Sequence, residues 1–126
     1  MVIRPIEETD LDAVERIILR NWDEVLPDYH SAAVVAKFRG RVSVDSLRDQ
    51  MAWKRIFVAE IDGAIIATGS FANFGSTEEP KYSISNVFVC PEFQRRGVGG
   101  KVLGFLCELA RGQGITSLYV PSVALI

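Results

Sequence analysis

The chain has 126 residues, 48% hydrophobic and 24% charged, with a formal net charge of −2. Such a length and balance describe one globular domain over residues 1–126, and exclude a disordered tract or a fibre. A slightly acidic chain is a poor general nucleic-acid binder, which needs a basic excess, and no apolar run approaches the ~20 residues that cross a bilayer.

The elements follow in chain order. Val2 to Ile6 alternates loosely and reads as a short first strand, with Pro5 favouring an edge. Thr9 or Asp10 can cap a helix whose apolar positions Leu11, Val14, Ile17, Ile18 and Trp22 recur at helical spacing, until Pro27 ends it. Ser31 caps a second helix carrying Val34, Val35 and Phe38 and stopped by Gly40; Ser43 caps a third with Leu47 and Met51. Arg39 and Arg41 read as a solvated turn.

From Arg55 the period changes. Ile56–Ile61 and Ala64–Phe74 flank Asp62-Gly63, a pair that supplies the positive backbone angles of a two-residue hairpin. Gly75 to Lys81 is a polar loop, and Tyr82–Val89 a further strand closed by Cys90-Pro91. A helix starting near Gly99 or Gly100 then runs through Val102, Leu106 and Ala110 to Gly112, before a last strand over Ile115–Val120 stopped by Pro121. A helix between the last two strands makes them a parallel crossover pair. The fold class is therefore α/β with a mixed sheet.

Between strand and helix stands Gln94-Arg95-Arg96-Gly97-Val98-Gly99-Gly100. The first amides of a helix lack partners and carry about half a positive charge. Glycines remove the β-carbons that would hold an anion away. With Arg95 and Arg96 alongside, the stretch reads as a pyrophosphate cradle. The phosphate-loop pattern GxxxxGK[ST] and the third glycine of the dinucleotide fingerprint are both missing. A plain surface turn with solvated arginines is the alternative.

Gln94-x-x-Gly97-x-Gly99 after an apolar strand resembles the signature of the GNAT superfamily, the acetyl-CoA-dependent N-acetyltransferases. The segment VFVCPEFQRRGVGGKVLGFLCELAR resembles that family's cofactor segment, and the element order is similar from Met1 to Val120. The resemblance implies a GNAT-like acyl-CoA N-acyltransferase fold. It further implies acetyl-CoA as co-substrate, bound by Val87, Phe88 and Val89 of the strand and by Gln94, Arg95, Arg96, Gly97, Val98, Gly99 and Gly100 of the loop.

It implies acetyl transfer to an amine of a small molecule or protein by direct attack, with no enzyme nucleophile. The rival reading is a non-catalytic coenzyme A-binding or interaction module.

Proton carriers are less defined. Ser83, Ser85 and Asn86 stand where some relatives carry an acid, which leaves Glu78 and Glu79 as the nearest candidate bases. Relatives continue past the last strand into a helix with a tyrosine acid and two more strands, whereas this sequence ends at Leu125-Ile126. Tyr119 is then the candidate acid, and an uncovered strand edge leads to the expectation of a homodimer or swapped assembly. His30 has a possible proton-transfer role or is simply solvated. Trp22, Trp53, Phe71 and Phe74 line an acceptor pocket or the core. Gly104, inside the helix, suggests close packing on the sheet.

Cys90 and Cys107 are too few for a disulfide framework, lack metal-ligand spacing, and read as small buried hydrophobes. No metal, nucleic-acid or membrane partner is expected. An N-terminus with acids and a proline where an export signal would be apolar leads to an expected cytoplasmic location.

Overall fold

A computed structural model of the chain describes residues 1–120. Five strands form one sheet in the order β1-β2-β3-β4-β5. They are β1 (Val2–Pro5), β2 (Arg55–Ile61), β3 (Ala64–Asn73), β4 (Tyr82–Val89) and β5 (Leu118–Tyr119), with helices α1 (Leu11–Glu24), α2 (Ala32–Arg39), α3 (Val44–Met51) and α4 (Val98–Gly112). Neighbours up to β4 are antiparallel and β4 pairs β5 in parallel, as the helical crossover requires. The α/β mixed-sheet expectation holds.

Local chemistry explains most boundaries. Ser31 and Ser43 accept the amides of Val34 and Ser46 at 3.2 and 3.0 Å, which caps α2 and α3. Asp62 and Gly63 turn the β2–β3 hairpin with φ of 52° and 81°. The start of α1 is built differently from a simple cap. A short 3-10 turn, Glu8–Asp10, precedes it, and the buried Asp10 carboxylate takes the Glu7 amide at 2.8 Å and the Arg4 guanidinium at 2.7 and 3.0 Å.

The sheet carries a core on each face. Phe57, Phe71, Ile84, Val89, Val102 and Leu106 pack on the α4 side, and Leu11, Val14, Ile18, Trp22, Leu47 and Val58 on the side of α1 and α3. Each such side chain contributes roughly 1.5–3 kcal/mol by leaving water. Ile84 and Val89 share the α4 side although five positions apart, which a regular strand forbids. The cause is a β-bulge. Ser70 faces Ser85 and Thr68 faces Phe88, so Gly69 alone opposes Asn86 and Val87, and Asn86 takes a φ of 53°.

Two sequence expectations change here. A Cβ on Gly104 would meet nothing within 4 Å, so this glycine lies on an open face and serves no close packing. The close approach belongs to Gly69, where an added Cβ would lie 2.7 Å from Val102 Cγ1 and 3.1 Å from Leu106 Cδ1. Among the described residues β5 pairs only Tyr82 and Ser83. The stop at Pro121 and the chain end at Leu125-Ile126 fall outside the described residues.

Candidate active site

Gly97, not Gly99 or Gly100, is the flanking residue of α4, and the helix begins at Val98. The reason is backbone shape: Gly97 sits in the left-handed region at φ 81°, where only a residue without Cβ is relaxed. A left-handed residue followed by a helical one turns successive N–H groups into a common concavity. Arg95 is also left-handed, at φ 64°. No side chain caps this helix, and the first amide to reach a carbonyl is that of Lys101, to Gly97 at 3.1 Å. The amides of Val98, Gly99 and Gly100 come before it and open onto the loop.

The mouth of α4 is tied to the end of β4 and to α1. Gln94 Nε2 donates to Asn21 Oδ1 at 2.8 Å and to the Val89 carbonyl at 3.1 Å. Asn21 Nδ2 donates to the same Val89 carbonyl at 3.0 Å and to Ile17 at 2.9 Å. Asn21 is buried, so these bonds form away from competing water. The Cys90 amide donates to Ile66 at 2.8 Å, so by alternation the Val89 amide and carbonyl point away from β3.

A second tie lies at the surface. Arg20 grips Glu92 with nitrogens at 2.8 and 2.9 Å and Glu24 at 2.7 Å. Arg20, helped by the Cys90 thiol, holds the Glu92 carboxyl down to about 2. Burial and the bond that Cys90 donates to Glu92 push the Cys90 thiol up, which suits a protonated, unreactive sulfur.

Two clefts flank the bulge of β4. One, of about 210 Å³, lies between Trp22, Leu26, His30 and Ile84–Phe88. The other, also about 210 Å³, lies among Trp22, Phe38, Arg41, Ser46, Lys54 and Asn86. Trp22, Asn86 and Phe88 belong to both. Trp22 stacks on Phe38 with centroids 5.5 Å apart and lies 5.8 Å from His30. Asn86 is steadied by Gln50, whose Oε1 accepts its amide at 3.2 Å.

The structure brings some expected residues together and separates others. Val87, Phe88, Val89 and the stretch from Gln94 to Gly100 form one corner of the molecule. Within it, Gln94 turns its side-chain amide inward to Asn21 and Val89, and Val98 buries its side chain. Arg95 and Arg96 are exposed, and Arg96 lies 5.6 Å from the Phe93 ring centroid.

Glu78 and Glu79 sit on the exposed hairpin loop before β4, and Tyr119 pairs with Ser83 near its start. From Tyr82 to Val87 the strand runs about 17 Å at ~3.3 Å per residue, so these three candidates stand at the opposite end from the loop. His30 lines a cleft, Phe71 is core, and Trp53 and Phe74 pair edge-to-face on the surface, 53% and 47% exposed. Arg39 and Arg41 are exposed as expected, but Arg39 is the last residue of α2 and pairs with Asp23 at 2.6 Å.

Asn21 is the residue that sequence reading missed. A signal existed: it falls on the stripe of Leu11, Val14, Ile17 and Ile18, where a polar residue breaks an apolar face.

A family profile described as "Acetyltransferase (GNAT) family" matches residues 11–125. The chain belongs to this acetyltransferase family. No curated protein matches it. Solved structures share the GNAT fold at low identity. The PaiA N-acetyltransferase of Thermoplasma acidophilum, in complex with coenzyme A, is 17% identical at a TM-score of 0.77, over 94% of this chain and 77% of its own. A GNAT family acetyltransferase from Brucella melitensis, in complex with acetyl-CoA, is 24% identical at 0.72, over 98% and 77%. A ribosomal-protein-alanine N-acetyltransferase from the same organism is 24% identical at 0.66, over 95% and 73%.

The GNAT loop here fits a diphosphate on its own geometry. A Cβ at Gly97 or Gly100 would meet no protein atom within 4 Å, so both border open space at the mouth of α4. Gly100 also has ordinary helical backbone, so neither packing nor conformation within the chain calls for glycine there. No helix among the described residues is long and apolar enough to cross a membrane.

Proposed function

We propose that this GNAT domain transfers acetyl from acetyl-CoA to a primary amine by direct attack. One observation carries the reading: the unpartnered amides at Val98 to Gly100 are fixed against the end of β4 by Asn21 and Gln94. A cradle held this way places an anion at a set distance from the bulge, where both clefts open.

Acetyl-CoA supplies the activated acyl group as a thioester. The amides of the loop hold its diphosphate with the helix dipole behind them, and Arg95 and Arg96 add charge. The Val89 amide faces away from β3 and would donate to the acyl carbonyl, stabilising negative charge there. In the transfer the acceptor nitrogen bonds to the acyl carbon, the carbon–sulfur bond breaks, and its electron pair goes to sulfur. The nitrogen gives up one proton. We assign that proton to the His30 imidazole, which lines the apolar cleft. Holding acceptor and acyl group side by side supplies much of the rate.

The test is calorimetry with coenzyme A, followed by thiol release from acetyl-CoA with a panel of primary amines. We expect binding, turnover with at least one amine, and a fall in kcat of roughly 100-fold in His30→Gln with affinity for coenzyme A unchanged. Binding without turnover would leave a cofactor-binding module, and no binding at all would end the reading.

A further inference from the structure

The two clefts meeting at the bulge differ in kind. The first is walled by Trp22, Leu26 and Phe88, and His30 is the titratable side chain on its wall. The second carries two cations, Arg41 and Lys54, beside the polar Ser43, Ser46 and Gln50, with no carboxylate on its wall. Each is about 210 Å³, room for a few water molecules at ~30 Å³ apiece. That space takes groups of a few heavy atoms.

Of the arginines that make no ion pair among the described residues (Arg16, Arg41, Arg55, Arg95 and Arg96), Arg41 is the one that lines either cleft. Arg4, Arg20, Arg39, Arg48 and Arg111 each hold a carboxylate at 2.8 Å or closer. The Arg41 guanidinium instead stands 5.2 Å from the Phe38 ring centroid, with no ion pair among the described residues. Arg41 is exposed and lines the small polar cleft, and a planar guanidinium fork is shaped for a bidentate carboxylate. Lys54 adds positive field from the same wall. Its ammonium lies 5.0 and 5.4 Å from the Trp53 and Phe74 ring centroids, and burial lowers its pKa. A negative charge nearby would offset that desolvation.

We infer that the acceptor is a small amine carrying a carboxylate. Its carboxylate is taken at Arg41, its amine faces Asn86 and Phe88 where the clefts join, and its apolar part lies against Trp22 and Leu26. The inference rests on the acetyl-transfer reading above and names the class of acceptor for that site. The carboxylate sets orientation: with one end held by Arg41 and the body against Trp22, the amine is the part left at the bulge.

The experiment uses the coenzyme A-bound protein and calorimetry with matched pairs: leucine and leucinamide, phenylalanine and phenylalaninamide, β-alanine and β-alaninamide. Each pair differs only in the carboxylate. In at least one pair the acid should bind the wild type about 10-fold or more tightly than the amide. In Arg41→Gln that preference should shrink to less than ~2-fold, while coenzyme A binds as before and so reports an intact fold. Three results would overturn the inference: amides that bind as well as acids, a preference that survives in Arg41→Gln, or no acid that binds. Thiol release on the same samples separates the two readings. Turnover of amides and acids alike removes only the carboxylate, whereas binding of acids without turnover removes only the transfer.

Discussion

Asn21 Oδ1 and Gln94 Nε2 lie 2.8 Å apart, although 73 positions separate them in the chain. Through this contact a helix on one face of the sheet fixes a loop that crosses to the other. Removing the Asn21 side chain takes one donor from the Val89 carbonyl and leaves Gln94 half-satisfied in a part-buried place. Asn21→Ala should cost about 1–3 kcal/mol by urea unfolding. It should also weaken coenzyme A binding by roughly 10-fold, since the cradle is no longer held in one shape. An unchanged affinity would mean that the loop keeps its form unaided.

Gly100 and Gly104 form a natural control pair. Both lie in α4 and both face open space, so alanine at either should raise helix stability by up to ~1 kcal/mol. Only Gly100 borders the mouth of the helix. Gly100→Ala should therefore gain stability and lose affinity for coenzyme A, and Gly104→Ala should gain stability alone. Thermal unfolding and calorimetry on the two variants read both effects.

Gly69 makes the opposite case. A methyl there collides with Val102 and, more mildly, with Leu106, on the strand segment facing the bulge. We expect Gly69→Ala to destabilise the protein by about 1–3 kcal/mol. Trimming the obstacle in Gly69→Ala/Val102→Ala should recover part of that loss in a double-mutant cycle, which would locate the strain at this contact.

Acid should loosen the first turn of α1. The Arg4 guanidinium, with the Glu7 amide, holds the buried Asp10 carboxyl below its usual value of 3.8. The folded pKa lies below the unfolded one, so the stabilisation is complete above the usual value and drains as pH falls through the folded one. Asp10→Asn should cost about 1.5–3 kcal/mol at neutral pH and flatten the loss of stability below about pH 4. Urea midpoints across that range measure it.

Features set by neighbours in the chain were readable in the sequence. Ser31, Ser43 and Asp62-Gly63 each act through backbone within a few residues, and each is found where its chemistry predicts. Features set by partners far along the chain were not. Nothing near Arg39 and Arg41 tells that one pairs with Asp23 while the other is left facing a cleft. Glu78, Glu79 and Tyr119 adjoin β4 in sequence or pairing, at the end of the strand away from the glycine run. The extra residue at Asn86 was also invisible, since counting by twos assumes a regular strand.

That extra residue has a consequence for everything after it. Straighten β4 by drawing Asn86 into the ladder as an ordinary strand residue, and odd and even positions trade places downstream: Val89 would turn from the α4 layer towards α1, and Phe88 would take its seat beneath α4. The handoff to Cys90 and the glycine run would arrive rotated by half a turn. The diphosphate grip would then open onto the wrong side of the sheet, with every one of its own residues still in place.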